Sequence, residues 1–163
     1  LTDKQKRYFG YVAGGGKSYA EGGEIKTEIV HDTAEGKINF LVNGTEIGYV
    51  DFYYNADIIS DSLIDKIENG KEFYIMYLEV YPRARGKRYA EKMLSITEKY
   101  AKEKGATIIT LRPDYGGADK PDNPYLDNIY LKNDFKYIFP NLTGRTDDDE
   151  WGMYKFIYKQ SKT

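Results

Sequence analysis

Leu78-Glu79-Val80-Tyr81-Pro82-Arg83-Ala84-Arg85-Gly86-Lys87-Arg88-Tyr89-Ala90 joins two regular patterns through a basic turn. On its N-terminal side, residues 72 to 81 are apolar on both faces and run without a breaker to Pro82, the pattern of a central strand. On its C-terminal side, Tyr89, Ala90, Met93, Leu94, Ile96, Thr97, Tyr100 and Ala101 recur at i, i+3 and i+4 until Gly105. That periodicity predicts a long amphipathic helix with a glycine C-terminal cap. A buried strand therefore feeds a basic, glycine-containing turn that opens a helix. A helix N-terminus presents unpaired N–H groups and a partial positive charge, and so can hold a phosphate or pyrophosphate. Arg83, Arg85, Lys87 and Arg88 surround this one. The same features also suit a basic turn that only solvates a helix end.

Working outward, the chain from Glu24 reads as strands. Ile25, Glu28, Ile29 and Val30 form one run, and Ile38, Phe40 and Val42 alternate in a second. Ile47, Tyr49, Asp51 and Tyr53 alternate with Gly48, Val50, Phe52 and Tyr54 in a third. Asn43-Gly44 between the last two is a hairpin signal, because both central positions of the favoured turn need positive φ. Ile58, Ile59, Leu63, Ile64 and Ile67 predict a short helix ending at Asn69-Gly70. Thr107 to Leu111 reads as a buried strand, and a Gly, Asp and Pro-rich loop runs from Pro113 to Pro124. A helix is expected over 124 to 133, with proline near its first turn, then strands over 135 to 139 and 151 to 158. This order predicts an α/β (α+β) fold, a mixed sheet with helices packed on it.

Residues 1 to 23 read differently. Lys4-Gln5-Lys6-Arg7 is followed by Gly14-Gly15-Gly16 and Gly22-Gly23 with few apolar residues, which predicts a flexible tail ahead of a domain over 24 to 163. Gly14-Gly15-Gly16-Lys17-Ser18 is a poor phosphate loop, since Tyr11 stands where that motif needs its first glycine. A start at Leu1 without Met is expected of a processed or trimmed product.

With 163 residues, one core is expected. Hydrophobic residues at 40% and charged residues at 31% suit a folded chain and not a disordered one. A net charge of -2 gives no general attraction to nucleic acid. The absence of cysteine removes disulfide scaffolds, thiolate metal sites and thiol nucleophiles, and a single histidine, His31, rules out a multi-histidine metal site. No metal is expected. No apolar run approaches a membrane span and no signal segment opens the chain, which makes the cytoplasm the default location.

The quoted stretch resembles the acyl-CoA-binding motif of the Gcn5-related N-acetyltransferase (GNAT) superfamily. In that family a strand ending Val-x-Pro leads into Arg/Gln-x-x-Gly-x-Gly/Ala at the start of the long third helix. Val80 and Pro82 match, Arg85 occupies the Arg/Gln position and Ala90 the last small position. Arg88 stands where the family usually has its middle glycine, and would either crowd the cofactor or add a phosphate contact. Family members also carry Asn-x-x-Ala-x-x-x-Tyr-x-x-x-Gly-Phe before the sixth strand. Here Asn123, Tyr130 and Phe135 fall in register, while Leu126 replaces Ala and Asp134 replaces Gly. The resemblance covers Glu72 to Tyr158 and implies a divergent member with a mostly antiparallel central sheet and flanking helices.

What the resemblance implies is transfer of an acetyl group from acetyl-CoA to a primary amine: a protein lysine or N-terminus, a polyamine or a small amine. Leu78, Val80, Arg85, Gly86, Lys87, Arg88, Tyr89, Ala90 and Asn123 would bind the co-substrate. Tyr130 would protonate the departing thiolate, and the Val80 N–H would meet the oxyanion. Glu79, on the central strand beside the cofactor loop and sharing a face with Tyr77 and Ile75 by alternation, is the acidic candidate for the base. A water, or a Glu79 tied up by Arg83 or Lys87, is the alternative. The family usually places two helices between its first two strands, whereas here only the Asp32 to Lys37 turn links the corresponding pair. The helix over Ile58 to Ile67 is the expected substitute. The acidic run Asp147 to Glu150 motivates a cationic acceptor. Two other readings compete with the enzyme. One is a non-catalytic binding or structural module, joined to a larger, viral assembly through the Gly-rich tail. The other, disfavoured by the neutral balance, is a nucleic-acid-binding domain using Arg83 to Arg88.

Overall fold

The computed structural model describes residues 5–9, 24–56, 58, 71–113, 129–141 and 152–157. Within them eight strands form one sheet: β1 (Gln5–Phe9), β2 (Ile25–His31), β3 (Glu35–Val42), β4 (Thr45–Ala56), β5 (Glu72–Val80), β6 (Ile108–Leu111), β7 (Lys136–Tyr137) and β8 (Met153–Phe156). Their spatial order is β1-β2-β3-β4-β5-β6-β8-β7. Every neighbouring pair is antiparallel except β5 and β6, which run parallel and are joined through the helix α1 (Tyr89–Glu103).

The elements follow from local chemistry. Asn43 and Gly44 both take positive φ, at 52° and 80°, and close the β3–β4 hairpin as the sequence predicts. The helix α1 buries Tyr89, Met93, Leu94, Ile96, Thr97, Tyr100 and Ala101, the face its periodicity marked out. It ends at Gly105 (φ 93°), where Ala106 N–H bonds back to Ala101 and Gly105 N–H to Lys102, closing off carbonyls the helix cannot pair itself. The buried face rests on β4 and β5. The Tyr100 ring meets Phe52 edge-on at 5.6 Å and Phe73 at 6.1 Å, while those two stack at 4.6 Å. Gly48 allows the close approach: a Cβ there would stand 2.2 Å from the Glu79 carbonyl oxygen and 3.0 Å from the end of Met93. A second cluster, Tyr74, Ile108, Ile138 and Tyr154, packs the opposite face.

Three expectations change. Gln5–Phe9, inside the stretch read as a flexible tail, is an edge strand paired along its length with β2. Its basic, weakly alternating sequence hid it, and charge of this kind is what natural edge strands carry. The rest of 1–23 lies outside the described residues. Second, Glu79 does not share a face with Ile75. Opposite Asp51 and Phe52 stand Tyr77 and Ile75, so Met76 is an extra residue that bulges β5 and resets the alternation. Ile75 joins the core against α1, while Glu79 lies on the other face with Tyr49, directly opposite it on β4. Third, the last two strands are shorter than expected. The helix over 58 to 67 and the acidic run 147 to 150 lie outside the described residues. Between β2 and β3 there is indeed only a tight turn, held by Ala34 and Glu35 N–H groups donating to the Asp32 carboxylate.

Candidate acetyl-transfer site

The sheet opens where β5 outruns its neighbour. β6 pairs with β5 only from Glu72 to Ile75, so the segment from Met76 to Val80 has β4 on one side and a cleft on the other. The cleft encloses about 410 Å³. Met76, Tyr77, Leu78 and Glu79 form one wall, Leu111, Arg112 and Pro113 form the second, and Tyr130 and Arg85 stand at its sides.

The ladder fixes which backbone groups face this space. Tyr81 N–H donates to the Ile47 carbonyl at 2.8 Å. Antiparallel alternation then turns the N–H and C=O of Glu79 toward β4 and those of Leu78 and Val80 away from it, toward the cleft. Arg85 Nε bonds the outward Val80 carbonyl at 2.9 Å, which fits that alternation and folds the loop back on the strand end.

After β5 the chain makes a 3-10 turn (Pro82–Ala84) and enters α1 through Arg88, which serves as N-cap without a side-chain hydrogen bond. The first N–H groups of α1 thus have no side-chain cap and lie beside exposed Arg85, Lys87 and Arg88. This is chemistry suited to a phosphate or pyrophosphate. Arg88 holds φ 62°, the left-handed conformation a glycine would take. It is exposed and is not a lining residue of the cleft. Asp134, at the other position where the resemblance implies glycine, holds φ 70°. Both departures therefore keep the glycine backbone. Residues 129–132 are helical, and the turn after them closes with Asn133 and Phe135 N–H groups on the Tyr130 carbonyl, each at 3.0 Å. The Tyr130 ring meets Phe135 edge-on at 5.7 Å.

Of the residues singled out from sequence, Leu78, Glu79, Arg85 and Tyr130 line one cleft. Gly86, Lys87, Arg88, Tyr89 and Ala90 form the adjoining helix start, and Asn123 lies outside the described residues. Arg83 does not tie up Glu79: it donates to the Glu46 carbonyl at 2.6 Å and lies 5.3 Å over the Tyr81 ring. Glu79 instead stands opposite Tyr49 across the β4–β5 ladder, on the same cleft wall. Burial, first, and then the hydrogen bond and charge of Glu79 push the Tyr49 phenol up to about 12. Burial also raises Tyr81, with the Glu46 and Glu79 charges adding to it. Tyr49 and Arg112 were missed from sequence; the signal for Tyr49 was its place on the polar phase of the third strand.

A family model described as acetyltransferase (GNAT) family matches residues 6–135. The chain belongs to the GNAT family. Among solved structures, this GNAT chain is similar to the PaiA N-acetyltransferase of Thermoplasma acidophilum in complex with coenzyme A, at 21% identity and TM-score 0.49, covering 74% of this chain and 59% of that one. It is similar to a GNAT-family acetyltransferase of Listeria monocytogenes at 16% identity and TM-score 0.50, covering 74% and 63%. A third is an acyl-CoA N-acyltransferase, described as putative, from Klebsiella pneumoniae, at 14% identity and TM-score 0.53, covering 77% and 74%. The chain spans less than two thirds of the length of the first two. No curated protein matches it. Among the described residues no group of three or more His, Cys, Asp or Glu side chains could hold a metal ion, and no helix is long and apolar enough to cross a membrane.

Proposed function

We propose that this GNAT chain transfers an acetyl group from acetyl-CoA to a primary amine. The observation that carries the reading is the opening of the sheet beyond Ile75, which turns the Leu78 and Val80 amides toward a cleft continuous with an uncapped, basic helix start. The N–H groups from Gly86 to Ala90, with Arg85, Lys87 and Arg88, would hold the pyrophosphate. The acceptor ammonium loses one proton to Glu79, directly or through a water, and its nitrogen attacks the thioester carbonyl. The C–N bond forms, the oxyanion is met by the Val80 N–H, and the C–S bond breaks. Tyr130 gives its proton to the leaving sulfur, and the second proton leaving the nitrogen restores it. Glu79 returns the first to solvent. The acceptor is a protein lysine or N-terminus, a polyamine or a small amine. Asp51 and Glu79, both within electrostatic reach of Tyr49 on that side of the sheet, favour a cationic one.

Calorimetric titration with acetyl-CoA, alongside an Arg85→Ala, Lys87→Ala double variant, tests the reading. Saturable binding weakened at least about tenfold in the variant is expected, since two charge-assisted contacts are removed. No heat from folded wild-type protein overturns it and leaves the non-catalytic module, which the tight Asp32–Ala34 turn at the place of two family helices favours.

A further inference from the structure

We propose that Tyr49 is the positioning residue for Glu79: its hydroxyl donates to the carboxylate across the β4–β5 ladder and holds it at the cleft wall for taking the acceptor's proton. The inference rests on the N-acetyltransferase reading above and adds to it a residue outside both sequence motifs.

Three observations converge on Tyr49. It is directly opposite Glu79 in the register, at a site where antiparallel partners exchange backbone hydrogen bonds and their side chains leave the same face. Both residues line the cleft. The Tyr49 ring is itself fixed, with the Lys37 ammonium from β3 4.4 Å over its face and the Tyr81 ring tilted against it at 6.0 Å.

The choice of partner matters chemically. A guanidinium on Glu79 would hold it in place and also strip it of basicity, because a cation beside a carboxylate strongly favours its charged form. A neutral phenol orients the carboxylate with a smaller penalty on its proton affinity. Arg83, the nearest sequence candidate for an ion pair, is engaged on the Glu46 carbonyl and Tyr81 instead. The phenol also remains a donor over any working pH, since its proton is held to about pH 12. The other charges around the pair are Asp51 on β4, Lys37 on β3, and Arg85 and Arg112 on the cleft walls. Among the described residues, Tyr77, Tyr81 and Tyr130 are the other titratable groups around the pair. None of these is altered by a Tyr49→Phe change.

The test is a pH–rate profile for amine acetylation by wild type, Tyr49→Phe, Glu79→Gln and the double variant, with acetyl-CoA affinity measured on each. Tyr49→Phe is expected to lower kcat about tenfold, to leave the amine KM within about twofold, and to move the acidic limb of the profile to higher pH. In the Glu79→Gln background the same change is expected to do nothing further. Equal losses in both backgrounds, or an unmoved acidic limb, overturn the positioning role while leaving the acetyltransferase reading intact. Full activity of Glu79→Gln overturns both the base assignment and the role of Tyr49. Wild-type protein that binds no acetyl-CoA is the separate signature that the enzyme reading itself has failed.

Discussion

β5 carries two glutamates seven positions apart, and they live in different worlds. Glu72 is 1% exposed, and its carboxylate accepts from the Thr110 hydroxyl and, at 2.9 Å, from the Ile58 N–H. Glu79 is half-buried at a cleft wall, opposite the Tyr49 phenol on β4. The strand is the same and the residue type is the same. What differs is the flank: β6 covers the first half, leaves after Leu111, and exposes the second half to open space. A side chain's task is thus set by whether its strand has a neighbour on both sides. Burial with complete pairing makes Glu72 structural, and a missing neighbour makes the Glu79 end available for chemistry.

The two glutamates should separate rate from stability. Glu79→Gln is expected to cut kcat by about 10²- to 10⁴-fold, the range for general acid–base catalysis, with a thermal midpoint close to wild type. A loss of stability without loss of rate would reverse the roles. Glu72→Ala should do the opposite, costing about 2–3 kcal/mol in urea unfolding because the buried Thr110 hydroxyl and the part-buried Ile58 N–H lose their acceptor. Gly48→Ala joins the two halves, since the added methyl runs into the Glu79 carbonyl. We expect a loss of about 1–3 kcal/mol by the same assay, together with weaker acetyl-CoA binding as the strand shifts. The smallest effects lie at the turns beside the cleft. Arg88→Gly should raise stability by roughly 0.5 kcal/mol, relief of left-handed strain less the entropy of a freer unfolded chain. Asp134→Gly should gain less, because aspartate tolerates that conformation better than arginine does. Scanning calorimetry on the two single variants orders them.

The parts of this architecture written in local pattern were legible. The unbroken apolar run of β5, the 3.6-residue period of α1 and the Asn43-Gly44 turn each point to their element, and the two partial motifs lead to one cleft. What was hidden depends on partners. β1 has no apolar stripe, and only its pairing with β2 makes it a strand. Tyr49 and Glu79 are 30 positions apart, and nothing in either segment says that a hairpin and a bulge will set them opposite. Arg88 and Asp134 look like failures of a glycine rule when read as letters, yet their φ angles keep what the rule is for. Asn123 sits outside the described residues, so its place in the second motif is carried by sequence alone.

The extra residue at Met76 acts as a parity switch. Ahead of it, odd-numbered positions of β5 face α1; behind it, even-numbered ones do. Two chains of this kind can therefore differ by one residue in this strand, at the bulge, and still send the same side chains to the cleft. Deleting Met76 together with its bulge would leave Ile75 and Leu78 against α1 and Tyr77 and Glu79 on the face of Tyr49, with only the numbering moved by one. Comparisons of β5 between relatives accordingly need to be aligned from Val80 backward, because counting forward from Glu72 puts the wrong residue at the chemistry.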